Sequence, residues 1–426
     1  QNSAWVGTII AMARFRFRCI ECGEEFPEDP NRLVCTHCHD KQKPAGTIRG
    51  VLEVVLKVLP STWPQFRASD REFLAAFLPI NDDDAIPPLP VGDTPLLEAP
   101  RLRAELEMPN LFLKDDTRNP SGSTKDRASL LVVAKAVEYG CDTVATASTG
   151  NAASALAAIA ASAGLRAVVL VPAAAPPAKL AQMQSYGAVV VPVNGTYDQA
   201  FDLCTSACNE FGWYNRSTAL NPFTTEGKKT AALEIAAALV PDTPDAVFVP
   251  TGDGVILAGL SKGFRDLERA GLTERCPRLF AVQPDGSSAI ATAARSGADN
   301  ATAMPGAASV ADSLTVEMPR NAIGCLAAIR ESGGAGITVP DEAISGAISR
   351  LARFSGIFGE PAAAAALAGL EAALGEGLVK REDRVVLMIT GSGLKDVAAA
   401  ARALPTLQTV DATLEDVGRA VSESGR

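Results

Sequence analysis

Val144-Ala145-Thr146-Ala147-Ser148-Thr149-Gly150-Asn151-Ala152-Ala153 is the stretch on which the fold turns. Its first residues read as a strand, Ser148 to Gly150 as a turn, and the alanine-rich run from Ala152 to Ala161 as a helix. The order then repeats, with a strand over Ala167 to Val171, a helix over Ala178 to Tyr186 and a strand over Val189 to Val193. Strand, turn, helix and strand at this spacing put parallel strands in one sheet with helices on both of its faces. A second series, with strands at Ala246 to Val249, Leu279 to Val282 and Val385 to Ile389 and long helical stretches between them, predicts a second α/β lobe. Ligands of such sheets sit beyond the carboxyl ends of the strands, so the turns are where chemistry is expected.

The composition narrows what that chemistry can act on. The 426 residues are 47% hydrophobic with a mean hydropathy of +0.13, enough apolar side chain for more than one core. A formal charge of -10 and a pI near 5.0 leave no cationic excess to neutralise phosphates, which argues against a nucleic-acid or anionic-membrane partner. Apolar runs such as Ala167 to Val171 fall far short of the ~20 residues of a spanning helix, so no membrane segment is expected. Trp5 to Ala11 is apolar but has no basic residue before it and runs into Arg14, Arg16 and Arg18, unlike a secretory leader. Residues 1–11 read as an extension ahead of a start at Met12. Of nine cysteines, Cys141, Cys204, Cys208, Cys276 and Cys325 lie in apolar or helical patterns and read as buried small hydrophobes, which fits a reducing cytoplasm.

The other four form Cys19-x-x-Cys22 and Cys35-x-x-Cys38, two tight turns that can each offer two thiolates. Facing one another they make a closed tetrahedral sulfur site suited to structural zinc; iron uses a similar spacing. His37 and His39 flank the last cysteine and read as bystanders. Acidic residues balance basic ones across this segment, so a structural zinc ribbon is expected rather than a finger that reads DNA or RNA.

Three turns carry the candidate chemistry. Asn119-Pro120-Ser121-Gly122-Ser123-Thr124-Lys125-Asp126-Arg127 sets a lysine among turn formers at a helix start, where its amine could capture an aldehyde. Taken alone, a solvated surface lysine fits as well. Val247-Phe248-Val249-Pro250 leads into Thr251-Gly252-Asp253-Gly254-Val255-Ile256, whose glycines let backbone N–H groups converge at a helix N-terminus. The loop lacks both the Gly-x-Gly-x-x-Gly spacing of a dinucleotide site and the lysine of a P-loop, so a phosphate monoester is the better ligand, with the Asp253 carboxylate turned outward. Ser148, Thr149 and Gly150 join hydroxyl donors to another helix start and suit a carboxylate, or equally an ordinary helix cap.

In this order, and followed by Leu387-Met388-Ile389-Thr390-Gly391-Ser392-Gly393-Leu394-Lys395-Asp396, these motifs resemble the fold-type-II pyridoxal-phosphate enzymes, and among them the threonine synthases. Gly92-Asp93-Thr94-Pro95-Leu96, Glu226-Gly227-Lys228-Lys229-Thr230 and Phe358-Gly359-Glu360-Pro361-Ala362 extend the resemblance over roughly residues 90 to 405. Some members of that family also carry an amino-terminal cysteine-rich ribbon. Two positions depart from the family pattern: Thr124 stands where Phe usually precedes the lysine, and Ser392 where His usually lies in the late Gly-x-Gly.

The resemblance implies a two-lobed fold with parallel-sheet, three-layer lobes. Its segments are a zinc ribbon over 13–42, a connector over 43–100 with one short helix near Asp70 to Phe77, and a first lobe over 101–235. A second lobe over 236–405 and a tail over 406–426 follow, the tail being too short for a regulatory domain. Lys125 would be the Schiff-base lysine of pyridoxal 5'-phosphate, Asn151 would meet the ring hydroxyl, and Thr251, Gly252, Asp253, Gly254, Val255 and Ile256 would cradle the cofactor phosphate. Thr390 would face the ring nitrogen, Ser148, Thr149 and Gly150 would hold the substrate carboxylate, and Cys19, Cys22, Cys35 and Cys38 would hold zinc. A neutral hydroxyl at the ring nitrogen makes a weaker electron sink than a carboxylate, which favours elimination and replacement over transamination. The implied reaction joins O-phospho-L-homoserine and water to give L-threonine and phosphate, in a protein expected to be a cytoplasmic homodimer. β-Replacement on O-phosphoserine in the manner of cysteate synthase, or serine/threonine dehydration, is the alternative. A non-catalytic zinc-ribbon protein fits least. A phosphorylated substrate needs a second anion site, for which Arg127, Lys228, Lys229, Asn215-Arg216 and Asn221 are the candidates.

Overall fold

β1 (Phe15–Cys19), β2 (Glu25–Phe26) and β3 (Leu52–Leu56) form the first of three sheets, antiparallel and ordered β2-β1-β3. They belong to a computed structural model that describes residues 14–43, 46–63, 71–173, 175, 177–402, 404 and 409–424. The expected extension over residues 1–11 lies outside the described residues, as does Asp70; the short helix beside it spans Arg71–Phe77.

After β4 (Leu96–Leu97) and β5 (Leu111–Asp115), the chain builds β6 (Thr143–Ala147), β7 (Arg166–Pro172), β8 (Val189–Val193) and β9 (Tyr214–Asn215). These last four make a sheet of order β8-β7-β6-β9 in which every pairing is parallel. β10 (Ala246–Pro250), β11 (Arg278–Pro284), β12 (Ala335–Val339) and β13 (Val385–Ile389) join the two earlier strands in a sheet of order β12-β11-β10-β13-β5-β4. Only the edge pairing of β4 with β5 is antiparallel there. Every residue of β6, β10 and β13 is buried, as central strands covered on both faces require.

The lobes are therefore not successive blocks of sequence. Val385 to Ile389 pairs in register with Leu111 to Asp115, so a strand from the segment expected as the first lobe shares a sheet with strands from beyond residue 236. Likewise Phe15 pairs with Leu56, which draws residues 52–56 out of the expected connector and into the ribbon. Parallel neighbours are joined by long crossovers, so chain order does not reveal them.

Two apolar layers cover the larger sheet. Helix Pro361–Gly375 lies on one face with Phe248, Phe280 and Leu387; helices Thr230–Leu239, Val255–Arg269 and Ala322–Glu331 lie on the other with Val247, Leu279 and Met388. Alanine on these helices lets them approach the strands closely. The ribbon packs on helices Lys125–Glu138 and Pro222–Lys228 through Phe15 and Phe17, whose rings meet each other and Phe223 at centroid distances of 5.3 to 5.8 Å. Lys135 sits fully buried among these rings, its charge met by Glu28 at 2.6 Å and Glu138 at 2.5 Å. Cys204, Cys208 and Cys325 are buried as expected, whereas Cys141 and Cys276 are only partly so. No helix among the described residues is long and apolar enough to cross a membrane.

Candidate active site

Lys125 opens helix Lys125–Glu138, and the turn before it is fastened to the end of β13. The Thr124 N–H donates to the Thr390 carbonyl at 2.8 Å, the Ser392 N–H donates to Gly122 at 2.9 Å, and Ser123 pairs with Gly391. Asp126 locks the turn from inside, accepting from the Ser121 N–H at 2.7 Å and the Ser121 hydroxyl at 2.5 Å. The lysine is thus presented by a rigid corner. Its amine has no hydrogen-bond or ion-pair partner among the described residues, an unusual state for a half-buried lysine. Burial pushes the amine below the usual lysine range; Glu360 opposes the shift, Arg216 adds to it and Asp253 opposes it.

Thr251 to Ile256 follows β10 into helix Val255–Arg269. The Thr251 N–H donates to Val282 at 2.8 Å, but the amides of Gly252, Asp253 and Gly254 find no acceptor among the described residues, and no side chain caps the helix. The first helical amides are free by geometry. Gly254 has φ +88°, and a Cβ there would come within 2.6 Å of the Cys325 Cβ, so only glycine closes this turn against helix Ala322–Glu331. Asp253 points away as expected, with its carboxylate accepting from the Arg320 N–H at 2.9 Å. What remains is a cluster of unpaired N–H donors at a helix N-terminus, which fits a phosphate. Thr390, 5% exposed, follows β13, and its hydroxyl makes no hydrogen bond to the described residues.

Ser148, Thr149 and Gly150 follow β6 at the start of helix Asn151–Ser162. The Ser148 hydroxyl accepts from the Gly150 N–H at 3.2 Å, and no side chain caps the helix. Asn151 is buried, and its amide nitrogen donates to both oxygens of Glu360, at 2.9 and 3.1 Å. Thr149, Gly150, Asn151 and Glu360 line a cavity of about 540 Å³ that also reaches Asp312 and Lys395. Lys125 does not line it, although Gly122 of the turn before it does. A cofactor between Lys125, the Thr251 loop and Thr390 would form the floor of this opening. The unpaired amine, the unpaired amides and the free hydroxyl fit an aldehyde-bearing phosphate ester.

The second anion site looks different in three dimensions from its list of candidates in sequence. Arg127 is fully committed, bonding Asp116 at 2.7 and 2.8 Å and Glu234 at 2.5 and 2.8 Å. Lys229 is paired with Glu226 and with Asp266 at 2.9 Å. Asn221 caps helix Pro222–Lys228, accepting from the Phe223 N–H at 2.9 Å. Arg127, Lys229 and Asn221 are therefore withdrawn as ligands, because each already serves the fold. Arg216 and Lys228 remain. Both are buried, neither has a carboxylate within ion-pair distance among the described residues, and one Arg216 guanidinium nitrogen, Nη2, has no partner. Arg216 otherwise touches only hydroxyls, Ser129 at 3.3 Å and Thr218 at 3.0 Å. Burial pushes Lys228 well below the usual range, and the charges of Lys125 and Arg216 push it further. Burial brings Arg216 down to about 10. Side chains of Ser123 and Thr124 before Lys125, and of Asn215 and Ser217 on either side of Arg216, also hold buried polar atoms without partners among the described residues.

Sequence reasoning missed Glu360 and Lys395. Glu360 lay inside a quoted motif but carried no assignment, since nothing local shows that its side chain turns toward Asn151. Lys395 joins the lobes, donating to the Ser121 carbonyl at 2.9 Å, Ser154 at 3.0 Å and Gln182 at 2.6 Å.

At the other end of the chain, one ligand atom from each of Cys19, Cys22, Cys35 and Cys38 lies within 4.8 Å of the others. The Cys22 and Cys35 sulfurs are 3.8 Å apart. A tetrahedron with ~2.3 Å metal–sulfur bonds has edges of ~3.8 Å, so the cluster can hold a metal. His39 turns away to the Arg49 carbonyl at 3.2 Å.

Known proteins agree with this geometry. A family model described as pyridoxal-phosphate dependent enzyme matches residues 88–391. The chain is 35% identical over 411 residues to a threonine synthase of Methanosarcina acetivorans, covering 96% of this chain and 98% of the relative. It is 36% identical over 393 residues to a threonine synthase of Methanocaldococcus jannaschii, covering 91% and 94%. Among solved structures, threonine deaminase isoform 2 of Solanum lycopersicum superposes with a TM-score of 0.64 at 21% identity, covering 82% of this chain and 93% of that one. A fungal L-serine ammonia-lyase of Rhizomucor miehei gives 0.62 at 22% identity, covering 73% and 96%. At these identities the two structures speak to the fold.

Proposed function

The chain belongs to the pyridoxal-phosphate-dependent enzymes, within them to the threonine synthase family, and from that premise we propose that it converts O-phospho-L-homoserine and water to L-threonine and phosphate. The observation that carries the substrate class is the pair Arg216 and Lys228: two buried basic side chains without carboxylate partners among the described residues, beside the reactive lysine, where a phosphorylated side chain would favour their charged forms. A dehydratase acting on unphosphorylated serine or threonine has no use for that charge.

Lys125 would hold the cofactor aldehyde, Thr251 to Ile256 its phosphate and Asn151 its ring hydroxyl, and Thr390 would offer the ring nitrogen a neutral hydroxyl. When bound, the cofactor supplies the electron sink for carbanion chemistry at the substrate Cα. Ser148, Thr149 and Gly150 donate to the substrate carboxylate and fix which Cα bond faces that sink. Lys125, once displaced, would take the Cα proton, a role helped by the burial that lowers its proton affinity. A Cβ proton must leave as well, and its bonding pair expels the phosphate from Cγ, where Arg216 and Lys228 would stabilise it. Water then adds at Cβ and gives up a proton, while Cγ and Cα each take one back. The same lysine can move the protons that exchange at these carbons. In the cysteine cluster, zinc is the metal we assign, because four thiolates leave no open position for catalysis. A cytoplasmic homodimer completes the proposal.

Incubation with phosphohomoserine, phosphoserine, serine and threonine, with products identified by mass, tests the reading. We expect threonine and phosphate from phosphohomoserine alone, and neither from Lys125→Ala. Cysteate from phosphoserine and sulfite, or ammonia from serine or threonine as the dominant product, would replace it.

A further inference from the structure

Glu360 is a buried carboxylate that packing does not account for. It is 4% exposed and precedes helix Pro361–Gly375, yet its side chain does not cap that helix. Its backbone N–H donates to Gly391 at 2.9 Å, while its carboxylate turns to the Asn151 amide. A Cβ at position 391 would overlap the Glu360 carboxylate, so the Thr390-Gly391-Ser392 corner is shaped to let this acid lie against it. No cation forms an ion pair with Glu360 among the described residues. The charges that face it are those of Lys125 and Lys395, with Asp396 opposing them. Leaving a carboxylate buried without an ion-pair partner costs stability, and replacement by an apolar side chain would remove that cost.

We propose that Glu360 is a positioning residue of this site: its carboxylate holds the Asn151 amide toward the cofactor and is the anion that faces the Lys125 amine. This rests on the reading of Lys125 as the reactive amine, and not on which substrate is used. The Asn151 amide nitrogen donates to both Glu360 oxygens, which fixes the plane of the amide and leaves its carbonyl oxygen without a partner among the described residues. The electrostatic part has a definite sign. Burial and Arg216 favour the neutral amine, whereas Glu360 and Asp253 favour the ammonium. Neutralising Glu360 leaves Asp253 alone against the other influences, so the amine loses its proton at lower pH.

Cofactor-free, full-length protein tests this without any substrate. Lys125 is acylated with an amine reagent across a pH series, and its modification is quantified by peptide mass spectrometry in wild type, E360Q and E360D. We expect the midpoint of Lys125 reactivity to fall by about one unit in E360Q, as for loss of a nearby opposite charge, and to stay near wild type in E360D. Cofactor binding, followed by fluorescence, should weaken about tenfold in E360D, whose shorter side chain no longer reaches the Asn151 amide, and stay near wild type in E360Q, whose amide oxygen still accepts from it. An unchanged midpoint in E360Q, or an equal fall in E360D, overturns the electrostatic role even if activity is lost. Should E360Q not fold, Asn151→Ala keeps the carboxylate while deleting the amide. It should weaken cofactor binding at a wild-type midpoint, and a shifted midpoint there overturns the proposal. A wrong substrate assignment would leave all of these results unchanged.

Discussion

Lys228 illustrates what a single residue can say once its surroundings are known. Its neighbour Lys229 is just as buried but is neutralised by Glu226 and Asp266, so it contributes to the fold. Lys228 has no such partner and lies against Gly259, where a Cβ would come within 2.8 Å of its own. Removing an unpaired buried charge should not destabilise the protein, whereas removing a phosphate ligand should weaken binding. Lys228→Met should therefore lower kcat/KM for the phosphorylated substrate by roughly 10- to 100-fold, the worth of one charged hydrogen bond. Its thermal midpoint should match or exceed that of wild type. Steady-state kinetics beside a melting curve check this; a large drop in melting temperature with unchanged kcat/KM would contradict it.

At the scale of elements, the ribbon and the cofactor loop are joined by a short chain of hydrogen bonds. Cys35 donates from its N–H to Gly50 at 2.8 Å, and three residues earlier Thr47 begins the contact with the large lobe. The Thr47 hydroxyl donates to Pro319 at 2.8 Å and accepts from the Ala322 N–H at 3.2 Å, while the Ile48 N–H reaches Arg320 at 2.9 Å. Arg320 and Asn321 in turn hold Asp253, through N–H donors at 2.9 and 3.1 Å. The cysteine knuckle thus backs the loop proposed to hold the cofactor phosphate. Stripping the metal with a chelator should weaken cofactor binding by about tenfold, and Thr47→Val should reproduce part of that loss by removing a bond worth ~1 kcal/mol. Fluorescence titration of metal-free protein measures it. An affinity equal to that of the metal-loaded form would show the ribbon to be independent of the site.

Across the whole molecule, the lobes meet at a buried ionic net. Arg127, from the Lys125 helix, bonds Asp116 beyond β5 and Glu234 on helix Thr230–Leu239, and Lys114 on β5 closes the net on Glu234 at 2.6 Å. Burial opposes ionisation of Glu234, but Arg127 and Lys114 outweigh it and hold the acid down to about 2; Arg127 likewise lowers Asp116. A depressed carboxyl stabilises the fold above its unfolded value, and that contribution is lost as the pH falls through the folded value. Asp126 acts the other way. Burial raises it to about 6, so its effect favours the fold below the usual carboxylate range and is lost as the pH rises through about 6. Acid unfolding should therefore set in between roughly pH 4 and pH 2 rather than between pH 6 and pH 4, as circular dichroism would record. Arg127→Met, which strands Asp116 and Glu234, should cost about 3–5 kcal/mol in denaturant melts.

The local pattern determined much of this protein. The alternation of strand, turn and helix from Val144 to Val193, the two Cys-x-x-Cys turns and the loops that begin at Ser148, Lys125 and Thr251 are short-range features, and each lies where its spacing put it. Periodicity and turn chemistry act over a few residues, so they can be read in one dimension. The pairing of β13 with β5, the inclusion of residues 52–56 in the ribbon and the turn of Glu360 toward Asn151 depend on contacts between distant segments. So does the difference between Lys228 and Lys229, adjacent in sequence and alike in chemistry. Only the packed chain decides which of the two receives a carboxylate, because burial makes an unpaired charge costly and the fold alone determines where the compensating charge can stand.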